Sequence, residues 1–200
     1  MTEIMIKIDG LKDVEYFSKG RRGIIFTGIY NKGIYKNKKA AVKIKKPESK
    51  AIGKISHEAE FLKKLNKHKI GAKLYDSSED YIVMEFIEGK TIKEFFEKSN
   101  ESEKRFIAIK ILKQLRTLDL LGIDKEEMHN PHKHIIIRKN SPVLIDFERS
   151  HYTENPKNIT QFVHYLCIHL DIDKDKIRRL SSVYKKDHSE KSFKEILKMI

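Results

Sequence analysis

The chain has 200 residues, enough for one domain with a sizeable core or for two small lobes. Its single cysteine, Cys167, excludes an internal disulfide and a cysteine-built metal cluster. With no apolar run of membrane-spanning length and no apolar leader, a cytoplasmic protein without membrane contact is expected. The 42 basic against 29 acidic residues leave a net charge of +13, with both signs mixed along the chain as on a solvated folded surface. Such a balance favours polyanions such as nucleotide, RNA or ribosome. The Lys-, Glu- and Ile-rich make-up with no Trp also suits a thermophile, which accounts for lysines without any polyanion.

Strand-like runs and turns fill the first half, and helical periods fill the second, broken by one apolar hairpin. Strands first and helices later predict an α+β chain with segregated layers or lobes. Ser18-Lys19-Gly20-Arg21-Arg22-Gly23 leads into Ile24–Tyr30. Gly20 and Gly23 let a backbone turn tightly and approach phosphates, although glycine hairpins are common for other reasons. The β-branched residues that follow suit a strand, with Ile25 placed to lie over a flat apolar ligand. Ala40-Ala41-Val42-Lys43-Ile44 is a strand with one lysine in an apolar run. From Ser49 to Asn66, Ile55, Phe61, Leu62 and Leu65 fall at three- and four-residue spacing, which predicts a helix with Glu58 and Glu60 near its stripe.

Two further strands are expected, one beginning at Ile70–Asp76 and one at Tyr81-Ile82-Val83-Met84-Glu85-Phe86-Ile87-Glu88-Gly89. Thr91–Lys98 reads as a short helix with Thr91 as N-cap, and Ser102–Leu121 as a long one with Phe106, Ile107, Ile111, Leu115, Leu118 and Leu121 in its core stripe. Ile135–Ile137 and Val143–Ile145 then form an apolar hairpin across the polar turn Lys139-Asn140-Ser141-Pro142, ending at Asp146-Phe147. Three helical stretches close the chain, at Asn158–Leu170, Asp173–Tyr184 and Ser189–Ile200. The second carries the basic cluster Lys174, Lys176, Arg178, Arg179, Lys185 and Lys186.

In this order the pieces resemble the protein-kinase superfamily from about Ser18 to Phe147. Ala-Val-Lys is similar to the family's Val-Ala-Ile-Lys, and Val-Met-Glu-Phe-Ile-Glu-Gly to its hinge. More narrowly the chain looks like a minimal, atypical archaeal predicted Ser/Thr protein kinase, akin to the RIO and lipopolysaccharide-kinase-like branches. The resemblance implies a two-lobed fold, with 1–88 as a nucleotide-binding sheet plus one helix and 89–200 as a reduced helical lobe. It implies ATP and Mg²⁺ as cofactors and a protein acceptor that the sequence does not identify. Lys43 would pair the α- and β-phosphates, Glu58 would orient Lys43, and Met84 would be the gatekeeper. The Glu85 carbonyl and the Ile87 amide would bind adenine, and Asp146 would hold the metal.

The departures lie in the catalytic loop. Counting back from Ile135, His134 takes the usual Asn place and His129 the Asp place. With two extra loop residues, Glu127-Met128 stands for Asp-Leu instead, and this register is preferred. Glu127 then accepts the hydroxyl proton, His129 is the rival base, and His134 ligates metal or hydrogen-bonds phosphate. His129, His132 and His134 also raise a metal-site reading. Glu148 replaces the glycine after Asp-Phe, and no Ala-Pro-Glu follows, so a peptide-docking shelf is not expected. Two alternatives stand beside a protein kinase: a pseudokinase or ATPase switch acting on an RNA or ribosomal partner, and a small-molecule kinase.

Overall fold

The computed structural model describes residues 7–19, 23–45 and 54–200. The chain divides into two compact units, Met1–Ile87 and Glu88–Ile200. Among the described residues no helix is long and apolar enough to cross a membrane.

In the first unit the described residues form an antiparallel sheet of five strands: β1 (Leu11–Lys19), β2 (Gly23–Tyr30), β3 (Lys38–Lys45), β4 (Leu74–Ser77) and β5 (Tyr81–Glu85). Their order is β1-β2-β3-β5-β4, so the last two strands enter in reverse. The cause is helix α1 (Lys54–Asn66), which carries the chain across before β4 and packs on β3, β4 and β5. Residues 49–53, the start of the expected helix, lie outside the described residues, as does Gly20. Asn66 fixes the turn after α1. Its side-chain amide donates to the carbonyls of Ile70 and Ala72, and its oxygen accepts from the Leu74 amide.

The two sheet faces differ in a way that follows from the strand period of two. Ala40 and Val42 of β3 join Tyr30, Val83 and Ile8 in one apolar cluster. Lys43 points the other way, toward α1, flanked in register by Ile25 of β2 and Ile82 of β5. This single strand therefore gives one face to the core and sets a lysine on the other.

The second unit begins with β6 (Lys90–Thr91) and α2 (Ile92–Lys98), whose first turn is closed by a reciprocal Thr91–Glu94 capping box. Helix α3 (Glu101–Leu120) starts with the same device, made by Asn100 and Glu103. Ile107, Ile111, Leu115 and Leu118 are buried as their spacing predicts. Phe106 corrects that stripe: it is 52% exposed, and the Lys110 ammonium lies 4.1 Å above its ring. Next come β7 (Ile123–Asp124), β8 (Ile135–Arg138), β9 (Ser141–Leu144) and β10 (His151–Tyr152). Three helices follow: α4 (Asn158–His169), α5 (Lys174–Asp187) and α6 (Glu190–Leu197).

The β8–β9 hairpin turns on two residues, not four. Lys139 and Asn140 both have positive φ, 46° and 59°, the signature of a type I′ turn. Ser141 and Pro142 lie within β9, opposite Arg138 and Ile137. The proline is tolerated because β9 is the outer strand of the β6-β8-β9 sheet. Helix α5 runs three residues beyond the expected Tyr184 and stops at His188, whose φ of 45° is left-handed.

Candidate active site

In the first unit, Lys43 and Glu58 are the central pair. Lys43 Nζ donates to Glu58 Oε2 at 2.6 Å, and the two side chains are only 11% and 1% exposed. Glu60 on the same helix is exposed. Gly23 sits beside the lysine stem: a Cβ there would come within 2.9 Å of the Ile44 carbonyl and 3.4 Å of Lys43 Cγ. Ile25 is half-buried on the Lys43 face. Met84 lies opposite Ala41, and Glu85 ends β5 with its amide bonded to the Lys73 carbonyl. Ile87 is buried just after the strand.

In the second unit, the hairpin directs Asp146 outward. Its φ is 61°, a left-handed turn that Asp tolerates better than most residues. The turn buries the Phe147 ring completely and leaves the Asp146 side chain 46% exposed. A Glu148 carboxylate oxygen lies within 4.8 Å of one of Asp146, so two hard oxygen donors stand together.

The loop after β7 brings Glu127 to the same place. Glu126 and Glu127 have φ of 61° and 57°, two consecutive left-handed glutamates, a strain of about 1 kcal/mol or more each. The loop is tied at several points: the Glu126 amide donates to Asp124 Oδ1, the Met128 amide to Gln161 Oε1 and the Asn130 amide to the Glu127 carbonyl. His134 Nε2 lies 3.2 Å from Glu127 Oε2, and its Nδ1 lies 4.0 Å from Asp146 Oδ2. Burial lowers the His134 pKa, helped by the nearby Lys125 charge and opposed by Asp146 and Glu127, so the neutral ring is favoured.

Glu127, His134 and Asp146 are thus drawn together, and His129 is not. His129 is exposed and outside these contacts. His132 faces another way, its ring 5.7 Å from Tyr165 and 6.2 Å from His169. Residues 132–134 form a turn and not a strand, so His132 and His134 share no face, and the three-histidine metal reading fails.

Several residues at this site escaped the sequence reading. Lys125 is 1% exposed, donates from Nζ to the Asp146 carbonyl at 2.8 Å and lies 4.9 Å from the Phe147 ring centroid. Its amide donates to Asn158 Oδ1, and the Asn158 amide group donates to Asp119 Oδ1 and the Ile123 carbonyl. Arg149 places a guanidinium nitrogen 2.9 Å from Glu127 Oε1 and 3.9 Å from Glu126 Oε2. The β7–β10 register explains that approach. His151 stands opposite Asp124, two residues from Arg149 on one side and two from Glu126 on the other, so the pairing brings their loops side by side.

A strand lysine bound to a helix glutamate, followed in the chain by an apolar hairpin ending in Asp-Phe, is the arrangement of a kinase-type phosphotransferase. The sequence model described as protein tyrosine and serine/threonine kinase matches residues 11–171, and the chain belongs to this family. Membership implies ATP, a divalent metal and a protein substrate in general terms. The chain is also similar to Uncharacterized protein MJ1211 of Methanocaldococcus jannaschii, at 28% identity over 116 residues. That alignment covers 52% of this chain and 99% of the relative.

Proposed function

We propose that this chain is an atypical Ser/Thr protein kinase, of the reduced archaeal type akin to the RIO branch, which transfers the γ-phosphoryl group of ATP to a protein hydroxyl with Mg²⁺ bound. Residues 1–88 hold the nucleotide and residues 89–200 supply the acceptor chemistry, in a cytoplasmic setting. Gly20, Gly23 and Ile25 cover the phosphates and base. Met84 and the backbone of Glu85 and Ile87 receive adenine, and Lys43, steered by Glu58, binds the α- and β-phosphates. The observation that carries this reading is the Lys43–Glu58 pair at 2.6 Å. Desolvating two charges costs several kcal/mol per ion before their attraction is counted, so a buried pair is weak evidence of stability and better evidence of use.

Asp146 and Glu148 fit a hard cation, which prefers oxygen ligands to imidazole. When bound, Mg²⁺ supplies neutralisation of phosphate charge. That preference makes His134 the partner that orients Glu127 and keeps it in place. In the transfer, the acceptor oxygen attacks the γ-phosphorus and its proton passes to Glu127. The bond from the γ-phosphorus to the bridging oxygen breaks, and its electron pair leaves with ADP.

The test is single-turnover transfer from labelled ATP to protein, with and without Mg²⁺. Transfer depends on the metal, and Asp146→Asn lowers its rate by about two to three orders of magnitude. Unchanged transfer in that variant overturns the assignment. One observation supports a second reading, an ATP-binding switch on a polyanion. Helix α5 carries Lys174, Lys176, Arg178, Arg179, Lys185 and Lys186 with no acidic residue between Asp175 and Asp187. Helix α6, by contrast, pairs Lys194 with Glu190 and Lys198 with Glu195. Nucleotide binding without transfer, with RNA affinity falling steeply with salt, favours that reading.

A further inference from the structure

The loop and hairpin of the second unit gather carboxylates where an anion has to arrive. Glu126, Glu127, Asp146 and Glu148 all lie there. A phosphoryl group approaching Glu127 meets like charge unless cations offset it. Asp146 and Glu148 supply the place for a metal, which leaves Glu127 and Glu126 to be balanced by the protein. Lys125 is 1% exposed and donates from Nζ to the Asp146 carbonyl, so it is committed to the hairpin. His134 is half-buried and carries no permanent charge. Arg149 has the right properties: a permanent charge, a nitrogen 2.9 Å from Glu127 Oε1 and 3.9 Å from Glu126 Oε2, and a side chain 42% exposed.

We propose that Arg149 is a catalytic residue, the cation that receives the transferring phosphoryl oxygens beside Glu127. A guanidinium has five N–H donors in a fixed fork, and the Glu127 contact is made through one nitrogen, leaving further donors for phosphate. The ion pair at 2.9 Å, close to the β7–β10 pairing of His151 with Asp124, places this charge beside the strained loop at residues 126 and 127 before substrate arrives. In the transfer already written, charge spreads over the γ-phosphoryl oxygens while the acceptor proton passes to Glu127. Arg149 meets the first of these changes and keeps Glu127 from repelling it. The inference rests on the kinase reading and on Glu127 as proton acceptor.

The test compares wild type with Arg149→Ala, Arg149→Gln and Arg149→Lys, in transfer from labelled ATP at saturating Mg²⁺. The Gln variant keeps an N–H donor for Glu127 and loses the charge, so it separates the proposed role from a mere clamp. Ala and Gln are expected to lose about 100-fold or more in kcat with KM for ATP little changed, and Lys to recover part of the loss. A second readout needs no turnover. ADP with Mg²⁺ and aluminium fluoride, which mimics a transferring phosphoryl group, binds wild type more tightly than ADP with Mg²⁺ alone, and this gain is lost in Ala and Gln. Wild-type kcat and an intact gain in the Gln variant overturn the role of Arg149 while leaving the kinase reading standing. Absence of transfer in the wild-type protein overturns the reading itself, and the inference with it.

Discussion

Lys43 is a lysine that the fold cannot place in water. Strand β3 lies between β2 and β5, and α1 covers the face to which the side chain points. Its ammonium offsets a carboxylate that is itself 1% exposed. Replacing Lys43 by Met is therefore expected to destabilise the protein by about 3–5 kcal/mol, the range for breaking a buried pair from one side. The double variant Lys43→Met with Glu58→Leu should recover most of that loss in urea unfolding, because an apolar pair of similar volume carries no desolvation cost. Both variants should fail to bind ATP. A double variant as unstable as the single one would mean that Glu58 is held by something other than the lysine charge. The pair was legible through the resemblance to the kinase family, since a lone lysine in a strand and a lone glutamate on a helix ordinarily face solvent. Lys125 had no such guide: it sits in a polar loop, where a lysine ordinarily reaches solvent, and only tertiary packing turns it onto Phe147. Arg149 and Asn158 were hidden for the same reason, since their partners are set by the β7–β10 ladder and by the packing of α4.

At the scale of elements, periodicity located the helices well, and local chemistry decided their ends. Asn100 caps α3, which starts at Glu101, one residue ahead of the expected Ser102, through a capping box the sequence also contains. Helices α3, α4 and α5 are joined by a polar contact that no stripe announces. Asp119 accepts from the Asn158 amide group at 2.7 Å and from the Tyr184 hydroxyl at 3.0 Å. Burial raises its pKa from 3.8 to about 6, against the lowering effect of those two hydrogen bonds. The folded state therefore holds a proton on Asp119 that the unfolded chain releases. This contribution to stability is complete below about pH 3.8 and is lost as pH rises through about 6. That rise corresponds to roughly 3 kcal/mol. Asp119→Asn keeps a neutral group there, with the amide able to donate to Tyr184 and accept from Asn158. The variant is expected to match wild type near pH 4 and to exceed it in thermal midpoint near pH 7. A variant that loses ground on wild type as pH rises across that interval would show that the ionised carboxylate is the stabilising form.

Across the whole molecule, the α+β class and the passage from strands to helices were legible, because period two and period 3.6 are local properties. The strand order β1-β2-β3-β5-β4 was not, since α1 decides which edge receives β4 and no local pattern records it. Charge divides in the same way. The net +13 is a property of composition, but its effect depends on which cations find partners. Lys32 pairs with Asp9, Lys93 with Glu97 and Lys198 with Glu195, all exposed contacts that add little and are weakened by salt. On α5, Arg178 and Lys185, and likewise Arg179 and Lys186, stand seven residues apart, about 10 Å along the axis, with no acidic residue between them. Their repulsion acts fully at about 0.01 M salt, where the Debye length is roughly 30 Å, and is largely screened at 0.15 M, where it is roughly 8 Å. The two effects oppose each other, and the excess of positive charge decides the sign: the thermal midpoint should rise with salt over this interval. Replacing Arg179 and Lys186 by Glu should flatten that rise. Exchanging two cations for anions also reduces the excess of positive charge, so stability at low salt should increase. A midpoint that falls as salt is added would assign the balance to the paired surface, and the crowded cations of α5 would then cost the fold little.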